Sequence, residues 1–187
     1  NYDFQPNLWG GKIGSETLLG RAIRRCIASS LYDHIVVMSD TQEVLSILDE
    51  YNDERLKYVP RDSYTTIRSR PAALSLSNLI QELDPLLSGI CVFSILQAPF
   101  VKSETLNELV HELLFNKADS CILVSKIETD LYERTAHGLE RISRRGFLVS
   151  DFDTLYLNTR SALAIQNRVL ITGSETGSSV VSIEIPE

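Results

Sequence analysis

The apolar residues of this chain follow two alternating rhythms. Leu18, Leu19, Ala22, Ile23, Cys26 and Ile27 recur every three to four positions, the spacing of one helical face. Ser15 stands where a cap belongs, so the pattern predicts a helix from there to about Ser30. Ile35 to Met38 is a short β-branched run ending in Ser39-Asp40, the signature of a buried strand. Thr41 then caps a second helix carrying Val44, Leu45, Ile47 and Leu48, and Lys57 to Val59 is a weaker strand stopped by Pro60. Ser69 followed by Pro71 opens a third helix, with Leu74, Leu76, Leu79, Ile80 and Leu83 inward. Ile90 to Leu96, apolar and uncharged, reads as the central strand. Ser103 caps a helix with Leu106, Leu109, Val110, Leu113 and Leu114 inward, and Ser120 to Ser125 is a further buried strand.

Strand and helix alternate several times before residue 126. That order implies parallel strands, right-handed crossovers and helices on both faces of a sheet. Ligands in such α/β folds bind beyond the carboxyl ends of the strands. The segments to inspect are therefore those around residues 10–14, 39–41, 60–70 and 97–103. After residue 126 the texture becomes β-rich. Residues 139–143 and 147–149 flank Arg144-Arg145-Gly146, which reads as a β-hairpin with glycine at a positive φ. Leu155 to Ile165 and Ser179 to Ile185 are further strands. No repeat or low-complexity linker divides residues 1–187, so a single domain with a hairpin insertion at about 138–150 is expected.

Composition narrows the function. A net charge of −7 and a pI near 5.0 argue against nucleic acid as a partner, which requires a basic surface. A local basic pocket for a small anion is compatible with that balance. The three cysteines, Cys26, Cys91 and Cys121, lie in apolar runs without CxxC spacing and read as buried thiols in a reducing compartment. With no membrane-length apolar stretch and no basic-then-apolar leader, the cytoplasm is the expected location.

Several segments, taken in order, resemble the acylneuraminate cytidylyltransferases, the CMP-sialic-acid-synthetase family, with the CMP-Kdo synthetases as near relatives. Residues 15–23 (SETLLGRAI) resemble the G-x-P-L-I run that opens that family's first long helix. Residues 35–40 (IVVMSD) resemble its V-V-S-T-D strand, and residues 92–105 (VFSILQAPFVKSET) its L-Q-P-T-S-P-L-R-T strand and loop. Residues 116–124 (NKADSCILV) resemble N-G-A-D-S-V-V-S-V, and residues 156–165 (YLNTRSALAI) resemble the N-G-A-I-Y strand. The resemblance implies a Rossmann-like three-layer nucleotidyltransferase fold with a mostly parallel sheet. It implies transfer of CMP from CTP to the anomeric hydroxyl of an acidic 2-keto sugar, with release of pyrophosphate. Magnesium as cofactor and a homodimer follow from the same likeness, with the hairpin as a contact element.

Carried over residue by residue, the resemblance marks a small set of positions. Gly10-Gly11-Lys12 precedes the first helix, where a glycine loop can wrap phosphates and a lysine can pair with them; a plain turn is the simpler reading. The family's longer A-R-G-G-S-K loop is reduced here. Asp40 ends a buried strand at a family carboxylate position, where it could equally cap the next helix. Among Arg61, Arg68 and Arg70, Arg61 matches the family arginine near the nucleotide, and arginine clamps phosphate bidentately. Gln97 matches a sugar-facing glutamine, although the loop after it is shortened to Ala98-Pro99. Asn158 matches the first residue of N-G-A-I-Y, but Thr159 and Arg160 replace the small pair that follows.

The family's late D-x-D metal motif has no counterpart before Glu187, and Asp151-x-Asp153 precedes the wrong strand, so the metal ligands stay unassigned. His34, His111 and His137 have no nucleophile partner placed beside them. The expectation is a CTP-dependent cytidylyltransferase. The alternatives are a non-catalytic sugar-nucleotide or partner-binding homologue with a degenerate site, or a nucleotidyltransferase for another acceptor such as a polyol phosphate.

Overall fold

A computed structural model describes residues 7–61, 72–127, 131–141 and 155–185. A short 3-10 turn, Leu8–Gly10, leads into a minimal hairpin of β1 (Lys12–Ile13) and β2 (Glu16–Thr17). Helix α1 (Leu18–Ile27) follows, and Thr17 caps it by accepting the Gly20 amide at 3.0 Å. Ser15 is therefore not the cap, because the hairpin has consumed the residues before Thr17.

The next unit is β3 (Ile35–Ser39), a 3-10 turn Gln42–Val44 running into the short α2 (Leu45–Leu48), and β4 (Leu56–Pro60). Thr41 caps the turn through the Glu43 amide, as its position predicts. Strands β3 and β4 pair in parallel.

The second sheet contains β5 (Ile90–Ser94), β6 (Ser120–Ile127), β9 (Leu155–Gln166) and β10 (Val180–Glu184), in the order β10-β6-β9-β5. Strands β5, β6 and β10 run one way, while β9 runs against both its neighbours. The mostly parallel sheet expected from the strand-helix rhythm is met in part: the β3–β4 and β10–β6 ladders are parallel, and the two ladders of β9 are antiparallel. Hydrophobic periodicity reports burial and leaves strand direction to the chain path.

Alternation along these strands divides the core into two faces. Cys121, Leu123, Ala162 and Ala164 meet Leu106, Leu109 and Leu113 of α4 (Ser103–Asn116). Cys91, Phe93, Leu163 and Ile165 face the other way, against Ile80 of α3 (Ala72–Leu83) and Val169 and Leu170 of α5 (Asn167–Leu170). Helix, sheet and helix make the three expected layers. The cap of α4 departs from expectation. Lys102 occupies the cap position, and Ser103 Oγ is buried without a hydrogen-bond partner.

A hairpin precedes the turn predicted at residues 144–146. It pairs β7 (Tyr132–Thr135) with β8 (Gly138–Arg141) across Ala136-His137. The predicted turn at residues 144–146, the helix start at Ser69-x-Pro71, Arg68, Arg70, Asp151 and Asp153 lie outside the described residues.

The start of β6 is fastened by Asp119. Its carboxylate accepts the Ser178 amide and hydroxyl at 2.9 Å each and the Ser179 amide at 3.2 Å, and pairs with Arg168 at 3.0 Å. Those bonds favour the charged form and draw its pKa from 3.8 down to about 2. A depressed carboxylate stabilises the fold above its ordinary pKa and loses that contribution as the pH falls toward the folded value. Denaturant titrations should therefore show stability falling between pH 4 and 2, and Asp119→Asn should flatten that fall while lowering stability at pH 7. A parallel acid limb in both proteins would contradict the assignment.

Candidate functional site

No strand hydrogen bond joins the β3–β4 pair to the four-stranded sheet among the described residues. A hydrophobic cluster lies beside α1 instead. Leu19 and Ile23 of α1 pack with Val44, Ile47 and Leu48, and around them lie Trp9, Val37, Tyr58 and Leu96. Each sequence-marked residue but Asn158 lies within about three positions of a cluster member, since packing fixes the backbone on which it stands. Gly10 follows Trp9, Asp40 lies between Val37 and Val44, Arg61 is three beyond Tyr58, and Gln97 follows Leu96.

Asp40 and Arg61 are brought side by side. The Arg61 amide donates to Ser39 O at 2.8 Å, extending the β3–β4 pairing beyond Pro60. The Tyr58 hydroxyl donates to the same carbonyl at 3.2 Å, and Ser39 Oγ accepts the Thr41 amide at 3.2 Å. Asp40 itself is exposed at the carboxyl end of β3.

Gln97 stands on a loop of two successive turns. Strand β5 stops at Ser94, earlier than the apolar run suggests. The Ala98 amide closes a turn on Ile95 O at 3.2 Å, and the Val101 amide closes the next on Ala98 O at 3.4 Å. Pro99 occupies the second position of the second turn, where its fixed φ is favourable. Gln97 is exposed on the first turn.

Two arginines of α1 receive this loop. Arg25 donates to Ser94 Oγ at 2.7 Å, Ile95 O at 2.8 Å, Ala98 O at 2.7 Å and Val101 O at 3.4 Å. Arg21 donates to Pro99 O at 2.8 Å and lies 5.8 Å from the Phe100 ring centre. Sequence reading misses both, because charge on a helix is ordinarily a solvated face. The available signal is that Arg25 falls between Ala22 and Cys26, beside the apolar stripe, and it is 8% exposed.

Asn158 reaches the same end of the sheet from the opposite strand. Ser94 pairs with Ala162, so residues 158–161 of β9 run past the carboxyl end of β5. Here β9 bulges: Ile122 pairs with Leu163 and Val124 with Asn158, leaving residues 159–162 opposite Leu123. Bulges of this kind re-aim side chains beside functional sites. The Asn158 carboxamide oxygen accepts the Arg160 amide at 2.8 Å, and Arg160 has φ 53°. Asn158 retains its NH2 as a donor.

The segment of Gly10, Gly11 and Lys12 lies at the head of α1, where Leu18 N donates to Gly11 O at 2.7 Å. The Gly10 and Gly11 amides are engaged with Asn7 O and Leu8 O at 3.0 and 2.9 Å, so they do not form an open cradle of donors. Lys12 is exposed and lines a cleft of about 610 Å³ together with Arg21, Arg24, Glu16 and Glu50. Glu16 pairs with Arg24 at 2.6 Å and lies 3.6 Å from Arg21. Among the described residues, no group of three or more His, Cys, Asp or Glu side chains is placed to hold a metal ion. No helix among them is long and apolar enough to cross a membrane.

The fold has solved counterparts. The synthetase of CMP:2-keto-3-deoxy-manno-octonic acid, solved with CTP, superposes with a TM-score of 0.70 over 99% of this chain and 86% of its own, at 11% identity. The chain has the fold of the cytidylyltransferases. The 4-diphosphocytidyl-2C-methyl-D-erythritol synthase of Anaerococcus prevotii DSM 20548 matches with a TM-score of 0.65, covering 92% of this chain and 78% of its own at 15% identity. The Francisella tularensis 2-C-methyl-D-erythritol 4-phosphate cytidylyltransferase gives 0.66, with 96% and 84% covered at 13% identity. No protein-family model and no curated protein matches the sequence. At such identities it is the cytidylyltransferase fold, rather than its side chains, that is shared.

Proposed function

We propose that this chain is a CTP-dependent cytidylyltransferase that transfers CMP to an acidic 2-keto sugar of the sialic-acid or Kdo type. The observation that carries the reading is the placing of Asp40, Arg61 and Gln97 around one hydrophobic cluster, at strand ends, in a fold whose solved counterparts use cytidine nucleotides. In the reaction, the acceptor's anomeric oxygen attacks the α-phosphorus of CTP. The bond to the β-phosphate breaks, pyrophosphate leaves, and the hydroxyl proton passes to solvent or to a carboxylate.

Lys12 and Arg61 are the cations assigned to the triphosphate, where charge-assisted contacts are strongest. Gly10 and Gly11 shape that segment and contribute no free amides. Gln97 and the Asn158 NH2 are assigned to the acceptor hydroxyls, since each can orient an oxygen for in-line attack. Asp40 is the carboxylate that would hold a magnesium ion arriving with CTP, a metal bound through one or two protein carboxylates, and the ion would offset charge on the phosphates.

A second reading, a polyol phosphate acceptor, is favoured by the methylerythritol cytidylyltransferases among the structural counterparts. A homodimer formed through the β7–β8 hairpin belongs to the proposal as well. Tyr132 and Leu139 on that hairpin are 54% and 67% exposed, large apolar groups suited to a contact. In sedimentation measurements the wild type should run as a dimer and Leu139→Glu as a monomer; a monomeric wild type would remove this element.

The deciding assay is pyrophosphate release from CTP and magnesium with a panel of acidic 2-keto sugars and a polyol phosphate. Release that depends on an acidic sugar is expected, and Asp40→Asn and Gln97→Ala should each slow it on the order of a hundredfold with the fold intact. Release with the polyol phosphate alone would transfer the assignment to the second reading. CTP binding without turnover would establish the non-catalytic homologue.

A further inference from the structure

Arg25 is expensive where it stands. Its guanidinium is buried in α1, and no carboxylate pairs with it among the described residues. A leucine or methionine would suit the helix without the cost of desolvating a charge. Local conflict of this sort is expected where a site needs it. Every hydrogen bond the side chain makes ends on one segment, from Ser94 to Val101. Two of its acceptors, Ile95 O and Ala98 O, are the carbonyls that open the two successive turns. The fourth acceptor, Val101 O, belongs to the residue whose amide closes the second of those turns. A planar fork with five fixed donors can hold such corners together, and a lysine ammonium cannot.

We infer that Arg25 is a positioning residue for acceptor selection: it locks the 95–101 loop so that Gln97 stands at one place on the acceptor side of the site. The inference rests on the cytidylyltransferase reading above. Arg21 adds a second tether at Pro99 O, so the loop is held at both turns by one helix. The lock acts on the Gln97 loop and leaves the segments of Asp40 and Arg61 untouched. Its loss should therefore move the acceptor's KM more than that of CTP. It should also relax discrimination among related acceptors, because a loosened Gln97 penalises the wrong hydroxyl less.

The test compares the full chain with Arg25→Met and Arg25→Lys, using amide hydrogen exchange and two-substrate kinetics. In Arg25→Met the Ala98 and Val101 amides should exchange roughly tenfold faster or more, while α4 and β6 keep wild-type protection. The acceptor KM should rise roughly tenfold with the KM for CTP within about twofold, and Arg25→Lys should fall between. Unchanged exchange in the loop would overturn the inference. So would a uniform rise in exchange across the core with both KM values moving together, the mark of a merely structural residue. If the wild type turns over no acceptor with CTP, the functional reading and the acceptor role fall together. The exchange measurement still decides whether Arg25 holds the loop.

Discussion

Among the described residues no strand ladder joins the β3–β4 pair to the four-stranded sheet, and the side chains of α1 do much of the holding between them. Leu19 and Ile23 seal the helix to the β3–β4 unit, while Cys26, one turn on, packs toward the α4 face of the larger sheet. Arg55, at the start of β4, accepts none of this apolar burden. It gathers the end of the helix by donating to Ile27 O, Ser29 O and Tyr32 O, and is itself held by Asp53 at 2.7 Å. The helix is thus tied by packing along its length, by carbonyl capture at its end and by two arginines to the loop after β5.

This arrangement explains why the candidate residues gather where they do. A strand end is placed only as well as the core beneath it, and Val37, Val44, Tyr58 and Leu96 share a core with α1. The polar residues next to them in sequence stand on backbone that this cluster fixes, the kind of rigid support a binding site requires. The guanidinium of Arg25 remains charged although burial holds its pKa below the ordinary value. It therefore adds positive charge at the end of β5 in a chain whose net charge is −7. A buried cation surrounded by carbonyls keeps its field in a region of low dielectric, which favours anionic ligands nearby.

Much of the fold is legible in the sequence, for reasons that also explain the failures. Ile35–Ser39, Ser120–Ile127 and Leu155–Gln166 are read nearly to their ends because buried strands are apolar runs that polar residues stop. The direction of β9 is hidden, since an apolar run packs equally well either way. The β1–β2 hairpin is too short to carry a period, and it moves the cap of α1 from Ser15 to Thr17. Asp40, Arg61 and Gln97 are marked as candidates in the sequence by the family resemblance and by lying where strands end in an α/β fold. Arg25 and Arg21 escape because their importance lies in the carbonyls they reach, and those belong to residues about seventy positions away.

The most direct test of the account is a map of backbone amide chemical shifts with and without CTP and magnesium. Changes should concentrate at Lys12, residues 39–41, Arg61 and residues 95–98, with the strands between them unmoved. Shifts confined to the groove beside Tyr32 and Arg55, at the opposite end of α1, or no shifts at saturating CTP, would contradict a nucleotide site built on the α1 cluster.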